Sequence, residues 1–190
     1  MIILTDEYIY ISMKKLLLSL LLILPLCGFA QKGMQGIGVA TGYGSSLNSN
    51  IGDPAILNFS LGIIYQNYIT EDIRLSTSLG MVRTDAYNDY YDWSYNRFYH
   101  FFGVDVHYFF NSVKRLMPYV VGGFSAGSFS WNKPEQETAI ASGAKLGVGL
   151  NYRLGYHLTA QLEVPLYAIW PEYWNSMYYC FPSLSLIYTF

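Results

Sequence analysis

Histidines are the residues with the clearest catalytic potential in this sequence. His107 lies two residues after Asp105, and in a β-strand that spacing places both side chains on one face. A histidine oriented by an acid can act as the base that activates a serine nucleophile. His100, which lies near Ser94, is a second candidate, but no lipase or acyltransferase motif surrounds that pair.

Metal chemistry has less support than acid–base chemistry. No two histidines have helical spacing, and an Asp-x-His pair on one strand supplies only two ligands. Cys27 lies in the leader described below, which leaves Cys180 as the cysteine of the mature chain. A single thiol excludes an internal disulfide and a cysteine metal cluster. We interpret Cys180 as a packing residue, and we expect neither a metal ion nor a cofactor.

The composition indicates what kind of chain must position these residues. Of the 190 residues, 52% are hydrophobic, 18% are aromatic and 13% are charged. A soluble domain carries roughly twice that share of charged residues, so much of this surface is poorly suited to water. The net charge is −2 and no basic face is evident, which excludes nucleic acid as a partner. The length fits one domain.

The start of the chain has the features of an export signal. From Met13, two lysines precede an apolar run over residues 16–26 and a small-residue site that ends at Ala30. Cys27 raises the alternative of a lipid anchor, which normally requires a small residue before the cysteine, whereas Leu26 is large. We interpret residues 1–12 as a misassigned upstream start, residues 13–30 as a cleaved signal peptide and residues 31–190 as the mature domain.

After the leader, apolar residues recur with a period of two, as in strands with one lipid face and one inner face. Leu57, Phe59, Leu61 and Ile63, for example, alternate with small or polar neighbours. Residues 117–131 are apolar on both faces, and the pattern does not assign them. We count about eight strands of roughly 10 residues, the length of a tilted membrane strand. An even number closes the sheet and leaves no unpaired edge in lipid.

Charged residues fall on the predicted inner faces of these strands. Small barrels fill their interiors with side chains, and buried charges there must satisfy one another. We favour this structural interpretation of Asp105 and His107 over a catalytic triad. The predicted polar cluster of the lumen consists of Arg74, Asp105, His107, Lys145 and Glu163.

The connections between strands alternate between short and long, as expected when one barrel end faces the periplasm and the other the exterior. His157 follows a short connection and belongs to the periplasmic side. Residues 45–55, 84–96, 132–138 and 171–177 form the longer connections. We expect external loops or an interfacial girdle at the aromatic residues Tyr87, Tyr90, Tyr91, Trp93, Tyr95, Trp170, Tyr173 and Trp174.

Three segments resemble the small OmpA/OmpX-like outer-membrane barrels: PYVVGG at 118–123, GVGLNY at 147–152 and LIYTF at 186–190. The resemblance implies an all-β fold, a transmembrane antiparallel up-and-down β-barrel of about eight strands in the outer membrane of a Gram-negative bacterium. It also implies contact with outer-membrane lipid and with the barrel assembly machinery. The assembly signal in the last strand would consist of Leu184, Leu186, Tyr188 and Phe190.

The function expected from these features is that of an integral outer-membrane protein, not an enzyme, with a side-chain-filled lumen. Its role would be structural or would consist of binding an extracellular ligand or surface. Two alternatives remain open: a small transporter of hydrophobic compounds and a lipid-modifying enzyme. An apolar tunnel through the wall would favour transport, and a rim histidine near a serine and an acid would favour catalysis. A secreted β-sandwich is the alternative fold.

Overall fold

Antiparallel hairpins follow one another along the whole described chain. The computed structural model describes residues 34–47, 58–88, 93–110, 115–131, 137–172 and 176–190, all within the unit Met34–Phe190. The predicted upstream start, the signal peptide and Cys27 lie outside these residues. No helix in the described residues is long and apolar enough to cross a membrane.

Alternating apolar residues form the long strands, because one face of each meets lipid while its backbone pairs with both neighbours. Each of the first seven strands pairs with the next one along the chain. The strands are β1 Gln35–Ser46, β2 Asn58–Tyr68, β3 Ile73–Asn88, β4 Trp93–Phe109, β5 Leu116–Trp131, β6 Glu137–Arg153, β7 Leu158–Pro171, β8 Met177–Cys180 and β9 Ser183–Thr189.

The last two strands occupy a single position in the barrel wall. Both β8 and β9 lie between β7 and β1, and they keep one register with each of these neighbours. The ladder is interrupted at Pro182, which has no amide hydrogen to donate. The wall therefore has eight strand positions, which confirms the predicted closed antiparallel barrel.

The strands are tilted, and the registers measure that tilt. Following paired residues once around the wall from Gly36 leads through Asp105 and Lys145 to Tyr179, and then to Ser46. The path returns to β1 ten residues beyond its start. This stagger fixes the diameter of an eight-stranded barrel at a size that side chains can fill.

Inward and outward faces follow the predicted alternation. On β6, Leu146 and Val148 are exposed to the lipid side, whereas Asn151 is buried in the lumen. The unassigned segment forms β5, with Tyr119 facing inward and Phe124 facing outward, 75% exposed. Its pattern was ambiguous because this strand also contributes apolar side chains to the lumen.

The lumen is layered along the barrel axis. An apolar cluster closes the end with the short turns and consists of Phe109, Met117, Tyr119 and Val121, with Tyr68 packed against it. Polar side chains occupy the middle. A larger apolar cluster lies toward the long connections and consists of Val82, Tyr99, Phe129, Ala141, Ile169, Met177, Tyr179 and Phe181.

The hairpins continue farther than the sequence predicted. The β3–β4 ladder extends to the pair Asn88 and Trp93, within the segment expected to be a loop over residues 84–96. Tyr87 and Tyr95 therefore lie on strands, as does Trp170 on β7. Outside the bilayer neither face must be apolar, so the alternation ends while backbone pairing continues.

Candidate functional site

Lys145 lies at the centre of the polar layer, between two acids. Its Nζ atom donates to Asp105 Oδ2 at 2.6 Å and to Glu163 Oε1 at 3.0 Å. The side chains of Lys145, Asp105 and Glu163 are only 10%, 9% and 6% exposed. Charges withdrawn from water in this way are tolerated only when they are paired and hydrogen-bonded. The three residues therefore depend on one another.

Gly123 makes the contact between Asp105 and Lys145 possible. It lies on β5 between these two residues, paired with Asp105 on β4 and with Lys145 on β6. A Cβ atom at Gly123 would collide with Oδ1 of Asp105. The missing side chain thus provides the space in which the carboxylate crosses β5 to reach the ammonium group.

The second carboxylate oxygen of Glu163 makes three further contacts. Its Oε2 accepts hydrogen bonds from the Tyr119 hydroxyl at 3.0 Å and from Gln161 Nε2 at 3.2 Å. His107 Nε2 lies 3.4 Å from the same oxygen, and this contact is an ion pair only when the imidazole is protonated. Glu163 therefore connects four elements of the barrel wall, β4 to β7.

Arg74 joins the network through amide and aromatic groups, and no described acid pairs with it directly. Its Nη2 donates to Gln161 Oε1 at 2.8 Å, and Gln66 donates to the same oxygen at 3.2 Å. The guanidinium lies among three rings, 4.8 Å from the centre of Phe109 and 5.6 to 5.7 Å from Tyr68 and Tyr119. Cation–π contacts of this kind strengthen when they are desolvated, and Arg74 is fully buried.

All five predicted lumen residues point inward, and the structure brings four of them into direct contact around Lys145 and Glu163. Asp105 and His107 share a face but do not bond to each other, since the first binds Lys145 and the second lies beside Glu163. That arrangement does not assemble a catalytic triad.

The other two histidines lie at opposite ends of the barrel. His100 stacks on Phe98 at a centroid distance of 6.3 Å. It makes no hydrogen bond to a serine or an acid among the described side chains, which do not include that of Ser94. Nδ1 of His157 lies 2.9 Å from the Thr189 carbonyl oxygen, and the ring stacks on Tyr188. Both contacts help to hold a turn and the last strand together.

A small cavity of about 60 Å³ lies beside the ion pairs and is lined by both polar and apolar side chains. Its far wall includes small residues of β1, β2, β3 and β9, among them Ala40, Ser60 and Ser185. The large side chains of β4 to β7 project toward this wall without filling the space completely. A volume of this size holds roughly two water molecules.

Sequence reasoning missed several members of the network. Gln66, Tyr119 and Gln161 were not proposed as site residues, although all three make hydrogen bonds within the network. Asn151 is fully buried, and neither amide atom has a hydrogen-bond partner among the described residues. No group of three or more potential metal ligands occurs in the described part of the chain.

The described members of the predicted external group lie on strands, and the predicted assembly residues lie on the lipid face. Trp93 lies on β4, Trp170 is exposed on β7, and Tyr90, Tyr91, Tyr173 and Trp174 lie outside the described residues. Exposed outward-facing side chains at the end of the chain are Leu184, Leu186, Tyr188 and Phe190.

A closed barrel with an apolar exterior and a charge-paired lumen defines an integral outer-membrane β-barrel protein. The family described as outer membrane protein beta-barrel domain matches residues 16–179, and the chain belongs to this family. The protein is located in the outer membrane, as predicted. No curated protein matches the sequence closely enough to indicate a specific relative.

Solved structures share this fold at low identity. Neisserial surface protein A is 15% identical, with a TM-score of 0.62, over 84% of this chain and 100% of that one. The N-terminal barrel of Pseudomonas aeruginosa OprF is 17% identical, with a TM-score of 0.53, over the same shares. Ail of Yersinia pestis, in complex with the heparin analogue sucrose octasulfate, is 12% identical with a TM-score of 0.51, over 83% and 97%.

Replacing Lys145 with methionine should expose the mutual dependence of the buried charges. Lys145→Met leaves Asp105 and Glu163 without the cation that joins them. We expect the free energy of unfolding in lipid vesicles to fall by about 3–5 kcal/mol, because an uncompensated buried charge is costly. The control Lys145→Met/Asp105→Asn/Glu163→Gln should recover more than half of this loss. Unchanged urea unfolding of Lys145→Met would contradict the pairing.

Neighbouring glycines on β5 test the role of the space at Gly123. Gly123→Ala should displace the Asp105 carboxylate and lower the free energy of unfolding by about 1–3 kcal/mol. Gly122→Ala is the control, because the nearest atom to its added Cβ is 3.9 Å away. That variant should stay within about 0.5 kcal/mol of wild type. Equal losses in the two variants would show that the space at Gly123 does not matter.

Proposed function

We propose that this protein is a non-enzymatic outer-membrane barrel that supports envelope structure and binds external surfaces through its long hairpins. The observation that carries the proposal is the filled lumen. Apolar clusters occupy both ends, ion pairs occupy the middle, and the cavity between them measures about 60 Å³. Such an interior makes the barrel a rigid support for its hairpins.

The filled lumen argues against the transport of hydrophobic compounds. A path for apolar molecules needs an apolar lining that opens toward lipid. Part of the cavity lining is apolar, but the ionisable side chains of Asp105, His107, Lys145 and Glu163 and several serine hydroxyls also line it. Moving an apolar solute through it would require breaking the Lys145 ion pairs.

The described side chains do not form the histidine-based catalytic site that a lipid-modifying enzyme would need. His100 stacks on an aromatic ring instead of bonding to a serine or an acid. His107 is fully enclosed in the lumen, out of reach of a lipid substrate. A non-enzymatic role accounts for both histidines as packing residues.

Surface binding is supported by the composition of the β3–β4 hairpin. Its outer part carries five aromatic residues along with Asp85, Asp89 and Asp92. Aromatic rings offer large contact areas at low cost in side-chain entropy. Ail was crystallised with a sulfated sugar analogue, but the acids here disfavour polyanions. We propose contact with uncharged surfaces through the rings.

The last strand is our proposed contact with the barrel assembly machinery. Leu184, Leu186, Tyr188 and Phe190 form one apolar stripe on its outer side. The backbone of Phe190 exchanges hydrogen bonds with Gln35 of β1, at 2.8 and 3.2 Å, and closes the barrel there. In the mature protein the same stripe would contact outer-membrane lipid.

Solute flux tests the filled lumen directly. We expect proteoliposomes that contain the folded protein to swell in an isotonic monosaccharide solution no faster than empty liposomes, because apolar clusters and ion pairs fill the described part of the lumen. A general diffusion porin is the positive control. Swelling that depends on solute size would contradict the proposal and favour a channel.

Adhesion of cells that display the protein tests the hairpin. Changing Tyr87, Tyr90, Tyr91, Trp93 and Tyr95 to serine should reduce adhesion to polystyrene severalfold, because the aromatic contact area is lost. The variant Asp85→Asn/Asp89→Asn/Asp92→Asn keeps the rings and should adhere at least as well as wild type. Loss of adhesion in the aspartate variant but not in the aromatic variant would show that the acids, and not the rings, mediate the contact.

A further inference from the structure

Residues 154–158 form the turn between β6 and β7, the Tyr156 turn, which carries a tyrosine at its apex. The backbone amides of Leu154 and Gly155 donate to the Leu158 carbonyl oxygen at 2.9 and 3.2 Å. The Tyr156 side chain is fully exposed, and that of Leu154 is 45% exposed. The turn therefore presents an aromatic and an apolar side chain at the end of the barrel.

The last strand holds the Tyr156 turn in place. Nδ1 of His157 lies 2.9 Å from the Thr189 carbonyl oxygen, and the Thr189 amide donates to the His157 carbonyl oxygen at 2.7 Å. The His157 ring also stacks on Tyr188, with 5.6 Å between the ring centres. The exposure of Tyr156 is thus a property of a fixed turn.

The turn between β2 and β3, the Glu71 turn, has the same backbone structure with a different apex. The amides of Ile69 and Thr70 donate to the Ile73 carbonyl oxygen at 2.9 and 3.1 Å, the pattern seen in the Tyr156 turn. Glu71 therefore takes the position that Tyr156 occupies in the other turn. The two turns are a matched pair that differ in the charge and polarity of their side chains.

The two turns lie on opposite sides of the barrel. The wall has eight strand positions, and four of them separate the β2–β3 turn from the β6–β7 turn in either direction. A difference in membrane depth between the two turns is therefore a tilt of the barrel axis.

The lipid-facing band of the wall continues into the Tyr156 turn. Val148, Leu150 and Tyr152 are exposed on the outer side of β6, and Leu154 continues this alternation beyond the end of the strand. Tyr156 follows at the apex. Tyrosine is typical of the membrane interface, because its ring packs among lipid while its hydroxyl reaches water.

The lipid-facing band ends earlier on the side of the Glu71 turn. Ile69 is 59% exposed and belongs to the band, whereas the exposed acids Glu71 and Asp72 follow it. Removing a carboxylate from water costs free energy unless the charge is paired. Short turns face the periplasm in outer-membrane barrels, so these acids favour a position in periplasmic water.

We propose that the Tyr156 turn is embedded in the headgroup layer of the periplasmic leaflet, while the Glu71 turn stays in periplasmic water. Tyr156 and Leu154 are the contact residues, and their partner is the lipid surface. Because the turns lie on opposite sides of the wall, the barrel axis tilts toward its β6–β7 side. Interfacial aromatic residues set the tilt of membrane-spanning elements in this way.

Nitroxide probes beside the two apices test this tilt. Gly155→Cys and Thr70→Cys, each in a Cys180→Ser background, place the probe at equivalent positions and keep Tyr156 and Glu71. A Cβ atom at Gly155 would have no atom within 4 Å, so the turn accommodates a side chain there. In nanodiscs that hold one copy of the protein, a water-soluble nickel chelate should collide severalfold less often with the probe at residue 155 than at residue 70, because headgroups shield the first probe.

Substitutions at the two apices provide the matched comparison. Tyr156→Ser should raise chelate access at residue 155 toward the value at residue 70, because the turn loses its anchor. Glu71→Ser changes the equivalent apex and should leave access at residue 70 high. Heat-dependent gel mobility confirms that each variant is folded.

Three results would overturn the proposal. Equal chelate access at residues 155 and 70 would show that the two turns lie at the same depth. Shielding at residue 155 that persists in Tyr156→Ser would show that this tyrosine is not the anchor. Shielding that appears only in concentrated detergent solution, and not in nanodiscs, would show that a second copy of the chain covers the turn instead of lipid.

Discussion

Lipid offers no hydrogen-bond partner to a backbone amide, and this constraint determines the rest of the structure. Every spanning strand must pair on both sides, so β9 and β8 must return to β1. The stagger of ten residues between Gly36 and Ser46 then sets a narrow barrel. The interior of such a barrel must be filled, and the polar network and the two apolar clusters occupy it.

A filled lumen requires that its charged side chains pair with one another, because few water molecules are present to hydrate them. Glu163 meets this requirement as the shared partner of Lys145, Tyr119 and Gln161, and Arg74 reaches it through Gln161. Apolar clusters at both ends exclude further water from the network. The outcome is a barrel whose buried charges are paired and whose ends are closed by apolar side chains.

Alternation along the strands was enough to predict the fold and the inward direction of Arg74, Asp105 and Lys145, since it depends only on each strand's own residues. It failed on β5, where Met117 and Tyr119 are lumen residues as apolar as the lipid-facing Val120. Alternation also predicted loops that are longer than the observed ones. The backbone pairing of Asn88 with Trp93 does not require an apolar strand face, so the pattern does not detect it. Which side chains meet across the lumen depends on register around the barrel.

Closure of the wall between its first and last strands is the central claim, and cross-linking in isolated outer membranes tests it most directly. Val39 and Leu186 are paired in register on the lipid face, within the reach of a disulfide. In a Cys180→Ser background, oxidised Val39→Cys/Leu186→Cys should give a cross-linked chain with altered mobility after denaturation. Val39→Cys/Leu146→Cys, on distant strands, should not. No cross-link in the first variant, or equal cross-linking in both, would contradict the closed barrel.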